Sequence, residues 1–300
     1  MYRDEYSRWC KAELVDFDLK RELTEIAGDE DAIRERFAAS LSFGTAGLRG
    51  TLGVGTNRMN IWVVRQATQG IADWVKTKGG SQTVAISYDS RLKGWNFARD
   101  AASVLAANGI QVRLYDELMP VPALSFATRY YNCNAGIMIT ASHNPAKYNG
   151  YKAYGADGCQ VTDEDAAVVY AAIQKTDVLG GAKFMSFAEG VEKGLIRFVG
   201  DDCKEAFYAA VESRQVRPGI CKTAGLKLVH SPLNGTGLVP VTRVLKDIGV
   251  EDVTIVKEQE YPNGYFTTCP YPNPEIFEAL EKGLALAKET GADLMLATDP

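Results

Sequence analysis

Apolar positions recur at helical spacing over the first 40 residues. Leu14, Phe17, Leu23, Ile26, Ile33 and Phe37 are separated by polar and charged residues, which predicts short amphipathic helices. The pattern breaks at Ser42-Phe43-Gly44-Thr45-Ala46-Gly47-Leu48-Arg49-Gly50, whose glycines suit a tight loop. Ile61, Val64, Ala67, Ile71 and Val75 resume the helical period, and Gly79-Gly80 ends it.

A regular alternation follows. Short apolar runs at 83–88, 110–115 and 135–140 predict buried strands, and 96–107 and 122–131 predict helices between them. Residues 151–153 and 160–161 predict a small hairpin around Gly155 and Gly158, and Thr162 caps a helix to about 175. The stretch 177–200 has glycines and no long period, which predicts a linker. The layout then repeats: helix 202–212, strand 226–230, helix 239–248, strand 253–256, helix 274–290 and strand 293–298. Asn273 is the predicted cap of the 274–290 helix, with Pro274 at its first position. Each half thus carries a β-α-β-α-β series. The prediction is an α/β fold of two consecutive three-layer α/β domains, 1–190 and 191–300, with mixed, mostly parallel sheets.

Composition narrows the function classes. Apolar residues at 46% and charged residues at 24% exclude disorder and collagen-like repeats. A net charge of −5 disfavours a general nucleic-acid binder, and no apolar run is long enough for a membrane span. The charged N-terminal residues lack the core of a secretory signal, so reduced cysteines and a cytoplasmic location are expected. There is no C-x-x-C pair, and His143 and His230 are the only histidines, which leaves little for a zinc or histidine-rich metal site.

In open α/β sheets, ligands sit beyond the carboxyl ends of the strands. Those ends carry Asp89-Ser90-Arg91, Thr140-Ala141-Ser142-His143-Asn144-Pro145, Ser231-Pro232-Leu233-Asn234-Gly235-Thr236-Gly237 and Asp299-Pro300. The small residues around Ser142 leave its hydroxyl accessible, and the nearby donors suit anionic oxygens. A polar turn closed by Asn-Pro is an equal reading of the same residues. A serine-hydrolase reading is disfavoured, because the glycines of a nucleophile elbow are absent and His143 is the serine's own neighbour. Asn234-Gly235-Thr236-Gly237 precedes a helix and offers amides to an anion as a weak motif. Gly53-Val54-Gly55 lacks the spacing of a dinucleotide loop.

Taken in order, the Phe43–Gly50 segment, the 140–145 motif and Tyr148-Asn149-Gly150-Tyr151-Lys152 resemble the signatures of the α-D-phosphohexomutases. The resemblance covers nearly all of the chain and is closest to the phosphoglucomutase and phosphopentomutase branch. It implies a four-domain enzyme in which a phosphoserine, here Ser142, exchanges its phosphoryl group with a sugar monophosphate through a sugar bisphosphate. It implies Arg49 as a contact of that phosphoserine and Lys152 as general acid/base. His143 and Asn144 are implied as active-site contacts. Asp89 and Arg91 match a segment near the active site, with Arg91 a further phosphate contact or support of the loop, although a surface ion pair reads equally from the residues. Asp299 resembles the first aspartate of a magnesium loop, so Mg²⁺ on Ser142 and Asp299 is implied. The second domain is then cut at that loop, the family's two further domains lie outside these residues, and the fragment alone is expected to be inactive. Phosphopentomutase and phosphomannomutase activities, or a non-catalytic module that binds phosphosugars or anions, are the alternatives.

Overall fold

The computed structural model describes residues 1–300. The predicted amphipathic segments form α1 (Tyr2–Lys11), α2 (Phe17–Glu25) and α3 (Glu30–Phe37). Asp16 and Asp29 cap α2 and α3 by accepting the amides of Asp18 and Ala32. Their apolar faces bury Trp9, Leu19, Leu23, Ile33 and Phe37 against the main core, whereas Phe17, at the start of α2, is exposed.

Beyond these lie β1 (Leu48–Thr51), α4 (Ile61–Thr77), β2 (Thr83–Tyr88), α5 (Gly94–Ala107), β3 (Gln111–Leu114), α6 (Val121–Tyr130) and β4 (Ala135–Ile139). They are followed by β5 (Tyr148–Gly155), α7 (Asp163–Lys175), α8 (Phe187–Glu192) and β6 (Ile196–Phe198). The strands make one mixed sheet of order β1-β5-β4-β2-β3-β6. β4, β2, β3 and β6 run parallel, and β5 is antiparallel to both β4 and β1. Every residue of β2 and β4 is buried, because helices cover both faces. Alternate side chains serve the two faces: Val84, Ile86 and Ile137 join the core with α4, α5 and α7, while Ala85 and Met138 join the core with α6.

Three local expectations change. Residues 48–50, expected as part of a loop, belong to strand β1, which is too short and glycine-interrupted to display a period. The expected hairpin forms, with the Val161 amide donating to Ala153 and Gln160 bridging Tyr154, but its first arm is the longer, eight-residue β5, inserted between β1 and β4. The predicted linker at 177–200 contains α8 and β6, so the predicted division at 190 falls inside a helix and the first sheet continues to Phe198. Short elements bounded by Gly181, Gly194 and Gly200 gave no long period to read.

The second unit holds α9 (Asp201–Glu212), α10 (Ile220–Ala224), β7 (Lys227–Ser231), α11 (Leu238–Asp247), β8 (Asp252–Ile255), α12 (Lys257–Glu260), α13 (Phe277–Thr290) and β9 (Leu294–Ala297). Its sheet is parallel, in the order β8-β7-β9. α13 begins three residues later than predicted. Asn273 forms a turn, its side chain accepting the Glu275 amide and its carbonyl the Ile276 amide, before the helix starts. Cys203, Phe207 and Tyr208 of α9 pack with Tyr115, Met119 and Leu124, so the two units share a core. The six cysteines are all free, and no helix is long and apolar enough to cross a membrane.

β5 fits between its neighbours because position 150 has no side chain. A Cβ there would lie 2.4 Å from the Thr140 carbonyl oxygen and 2.9 Å from that of Leu48. Gly150→Ala should therefore destabilise the chain by about 1–3 kcal/mol in urea unfolding, as overpacking does. A loss within the error of the measurement would show that the strand can move aside.

Candidate active site

The carboxyl ends of β2, β4, β7 and β9 converge on a cleft of about 230 Å³. Thr140, Ser142 and Lys152 line it from the first unit, and Thr236, Asp299 and Pro300 from the second.

Ser142 sits in the left-handed region, at φ 55°, which is uncommon for a residue with a side chain. Specific contacts hold it there. Its amide donates to Thr140 Oγ1 at 2.8 Å, and Thr140 Oγ1 donates to Asp89 Oδ2 at 2.5 Å. From beneath, the Arg91 guanidinium donates to the carbonyls of Ser142 (2.5 Å), Asn144 (2.5 Å), Pro145 (3.1 Å) and Tyr148 (3.1 Å). Asp89 pairs with Arg91 at 3.5 Å and also accepts the Arg91 amide. Both side chains are out of solvent. Burial pushes the Asp89 carboxyl up to about 6, against the pull of Arg91 and Thr140. Burial likewise lowers the pKa of Arg91.

On the solvent side, Ser142 Oγ donates to Asp299 Oδ2 at 2.6 Å. His143 Nδ1 lies 3.4 Å from the same carboxylate oxygen and 3.5 Å from Ser142 Oγ. Arg49 stands opposite Gly150 in the β1–β5 ladder and reaches Asn144 Oδ1 at 3.0 Å. Lys152, one pleat further along β5, is half-buried. Its ammonium is held below the ordinary lysine range, by burial first and by the Arg49 charge second, while Asp299 and Asp89 oppose the shift.

The tertiary structure thus brings Arg49, Ser142, His143, Asn144, Lys152 and Asp299 to one mouth. Arg91 is not a phosphate contact there, nor a surface ion pair. It is buried, and its hydrogen bonds go to loop carbonyls, so it shapes the loop from behind. The weak anion motif is also reassigned. The Gly235 amide donates to Pro232, the Thr236 amide donates to Pro300, and the Asn234 side chain is buried in its own unit. His230 is buried in β7. No hydrolase triad is assembled, since the serine donates to the carboxylate directly and not through a histidine. Thr140, part of the 140–145 motif, carried no local signal that its hydroxyl would link Asp89 to the Ser142 amide.

A metal can be judged from the donor set. Ser142 Oγ and Asp299 Oδ2 are hard oxygens at 2.6 Å, the ligand type that Mg²⁺ prefers. A phosphate on Oγ would bring two anions into contact, and a cation between them relieves that repulsion. Within residues 1–300 one carboxylate meets Ser142 at this point, and no group of three or more His, Cys, Asp or Glu side chains is placed to hold a metal. The two oxygens fit as part of the ligand set of such a cation.

Comparison with known proteins follows the same lines. Residues 40–179 match the family model described as phosphoglucomutase/phosphomannomutase, alpha/beta/alpha domain I, and residues 205–300 match that of domain II. A phosphoglucomutase of Staphylococcus saprophyticus is 37% identical over 264 residues, or 88% of this chain and 47% of the relative. That of Staphylococcus aureus (strain N315) is 34% identical over 273 residues, or 89% and 48%. The chain therefore spans about half the length of the curated relatives it matches. Among solved structures, a Thermus thermophilus protein assigned as a phosphomannomutase aligns with a TM-score of 0.73 and 25% identity, over 87% of this chain and 55% of its own. A Burkholderia thailandensis phosphoglucomutase/phosphomannomutase family protein shares the fold, with a TM-score of 0.67 and 23% identity over 86% and 52%.

The Asp89 shift has a measurable sign. Its folded-state pKa stands above the ordinary 3.8, so the stability it contributes is complete below that value and is lost as pH rises through about 6. Compared with Asp89→Asn by urea unfolding, the wild-type chain should lose on the order of 2 kcal/mol of relative stability from about pH 4 to about pH 7. Parallel pH profiles for the two proteins would mean that burial does not perturb this carboxyl.

Proposed function

The chain belongs to the phosphoglucomutase/phosphomannomutase family, and we propose that Ser142 is its phosphoryl carrier in a phosphoglucomutase-like reaction. The observation that carries this reading is the meeting at Ser142 of two units. A hydroxyl from the first lies 2.6 Å from a carboxylate of the second, beside Arg49 and Lys152. Relatives named phosphoglucomutase favour glucose 1-phosphate and glucose 6-phosphate as substrates, with glucose 1,6-bisphosphate as the intermediate. The Thermus neighbour favours mannose phosphates as the second choice.

Loading the serine requires a bond from Oγ to phosphorus and cleavage of the bond from phosphorus to the sugar oxygen. The hydroxyl proton passes to Asp299 Oδ2, its present hydrogen-bond acceptor. Lys152 gives a proton to the departing sugar oxygen, and its burial beside Arg49, which lowers its pKa, favours that release. In the reverse direction, Lys152 takes the proton of the attacking sugar hydroxyl as the phosphoryl group leaves Ser142, and Asp299 returns its proton to Ser142 Oγ. Arg49 offers a planar fork to the phosphate oxygens, and Asn144 orients that fork at 3.0 Å. His143 lines the same mouth and offers a ring N–H to phosphate oxygens. Arg91 and Asp89 keep the loop in shape. Ser142 and the ionised form of Asp299 would hold Mg²⁺, and the ion would supply positive charge that offsets the phosphate. The proposed domains are a first that carries the serine and a second that carries Asp299, with the passage between them after Phe198.

Intact-mass analysis after incubation with glucose 1,6-bisphosphate tests the carrier. The chain should gain one phosphoryl group that maps to Ser142, and Ser142→Ala should gain none. Equal labelling of that variant would remove Ser142 from the reaction. Lys152→Met should load about 10²–10⁴-fold more slowly, the usual loss on deleting a general acid. A loading rate unchanged by that substitution would assign the proton to another group.

A further inference from the structure

Phe266 is a bulky residue at φ 47°, a strained conformation that persists only where its surroundings impose it. The surroundings are specific. The side-chain amide of buried Asn234 donates to the carbonyls of Glu258 (3.2 Å) and Tyr261 (2.8 Å), and its Oδ1 accepts Thr268 Oγ1 at 3.2 Å. The Asn263 amide donates to the Asn234 carbonyl at 2.9 Å, and the Phe266 amide donates to the Asn263 carbonyl at 3.0 Å. This frame presses the segment against the first unit. Gly264 pairs with Arg91 as an isolated bridge, and a Cβ on it would lie 2.7 Å from both the Ser90 oxygen and the Leu92 nitrogen. Only glycine permits that approach. Phe266 then places its ring 5.1 Å from Arg91 Cζ, and it is itself only 1% exposed.

We infer that Phe266 is a positioning residue for Ser142: its ring, carried by the second unit, covers the Arg91 guanidinium and so holds the carbonyls that shape the serine loop. A guanidinium has donors around its edge and two apolar faces. The edge of Arg91 serves Ser142, Asn144, Pro145 and Tyr148. The ring packs over a face and so fixes the plane of the guanidinium, which keeps its in-plane donors aimed at those carbonyls. All four acceptors lie between residues 142 and 148, so loosening reaches the serine loop and not the core strands. Contact between the two units thereby sets the geometry of the hydroxyl, in addition to delivering Asp299. The consequence for catalysis rests on the reading of Ser142 as phosphoryl carrier, whereas the consequence for loop order does not.

Phe266→Leu keeps apolar bulk and removes the ring face. Two measurements on the full 300-residue chain test the inference. By amide hydrogen exchange, residues 141–150 should exchange about tenfold faster in the variant, while β2 and β4 keep their protection. By intact-mass kinetics with glucose 1,6-bisphosphate, the loading rate at saturation should fall about tenfold, with half-saturation changed by less than about twofold. Phe266→Met serves in the same measurements if the leucine variant does not fold. Unchanged loop exchange in a folded variant overturns the inference, as does an even rise across both units, which would mark ordinary loss of stability. If the unaltered 300-residue chain takes up no phosphoryl group, the carrier reading is decided by loading of Ser142 in the protein at the full length of its relatives, and loop exchange alone decides the role of Phe266.

Discussion

A guanidinium removed from water must find partners for its charge and for its donors, because an unpaired buried ion costs several kcal/mol. Arg91 is in that position, and most of the site follows from how its demand is met. Asp89 supplies the counter-charge, and four carbonyls of the serine loop take hydrogen bonds. Phe266 covers the guanidinium from the second unit. Accommodating one arginine, whose Nε faces Asp89 at 3.5 Å without a hydrogen bond, thus ties together the end of β2, the loop after β4 and a segment of the second unit. Thr140 completes the cradle by linking the Asp89 carboxylate to the Ser142 amide. The left-handed backbone at Ser142 is the residual strain of that arrangement, and it aims the hydroxyl outward.

The outward side has the opposite electrostatic character. Arg49 and Asp299 are exposed and Lys152 is half-buried, so each can meet a ligand without a large desolvation cost. A phosphorylated serine would add about −1.5 to −2 charge here. Arg49 and Lys152 answer part of that charge, and Asp299 opposes it unless a cation lies between. The roles divide by depth: buried charges hold the loop, and accessible charges face the reaction.

Long, strongly periodic elements were legible in the sequence. β2 runs over 83–88 as its apolar run predicts, and Thr162 caps α7 by accepting the Asp165 amide. Short elements were not. β1 and β6 have four and three residues, and such lengths carry no period. β5 was read as one arm of a local hairpin, because local sequence cannot reveal that a strand pairs with residues 48–51, far away in the chain. The 177–200 stretch misled for the same reason: β6 is a strand by virtue of its neighbour β3, not of its own pattern.

The site divides along the same line. By itself the sequence determined the chemical groups and the ends of the strands that carry them: Ser142 in a small-residue loop, Arg49 in a glycine loop, Lys152, and Asp299 after an apolar run. These are local properties, set by side-chain chemistry and by period. Only the tertiary structure decided which of those groups meet. Ser142 and Asp299 are 157 residues apart in sequence and 2.6 Å apart in space. Arg91, exposed or buried on equal terms from its sequence, became a structural charge because Gly264 and Phe266 close over it. Burial is a property of the packed whole, and burial determines whether an arginine faces a ligand or holds a loop.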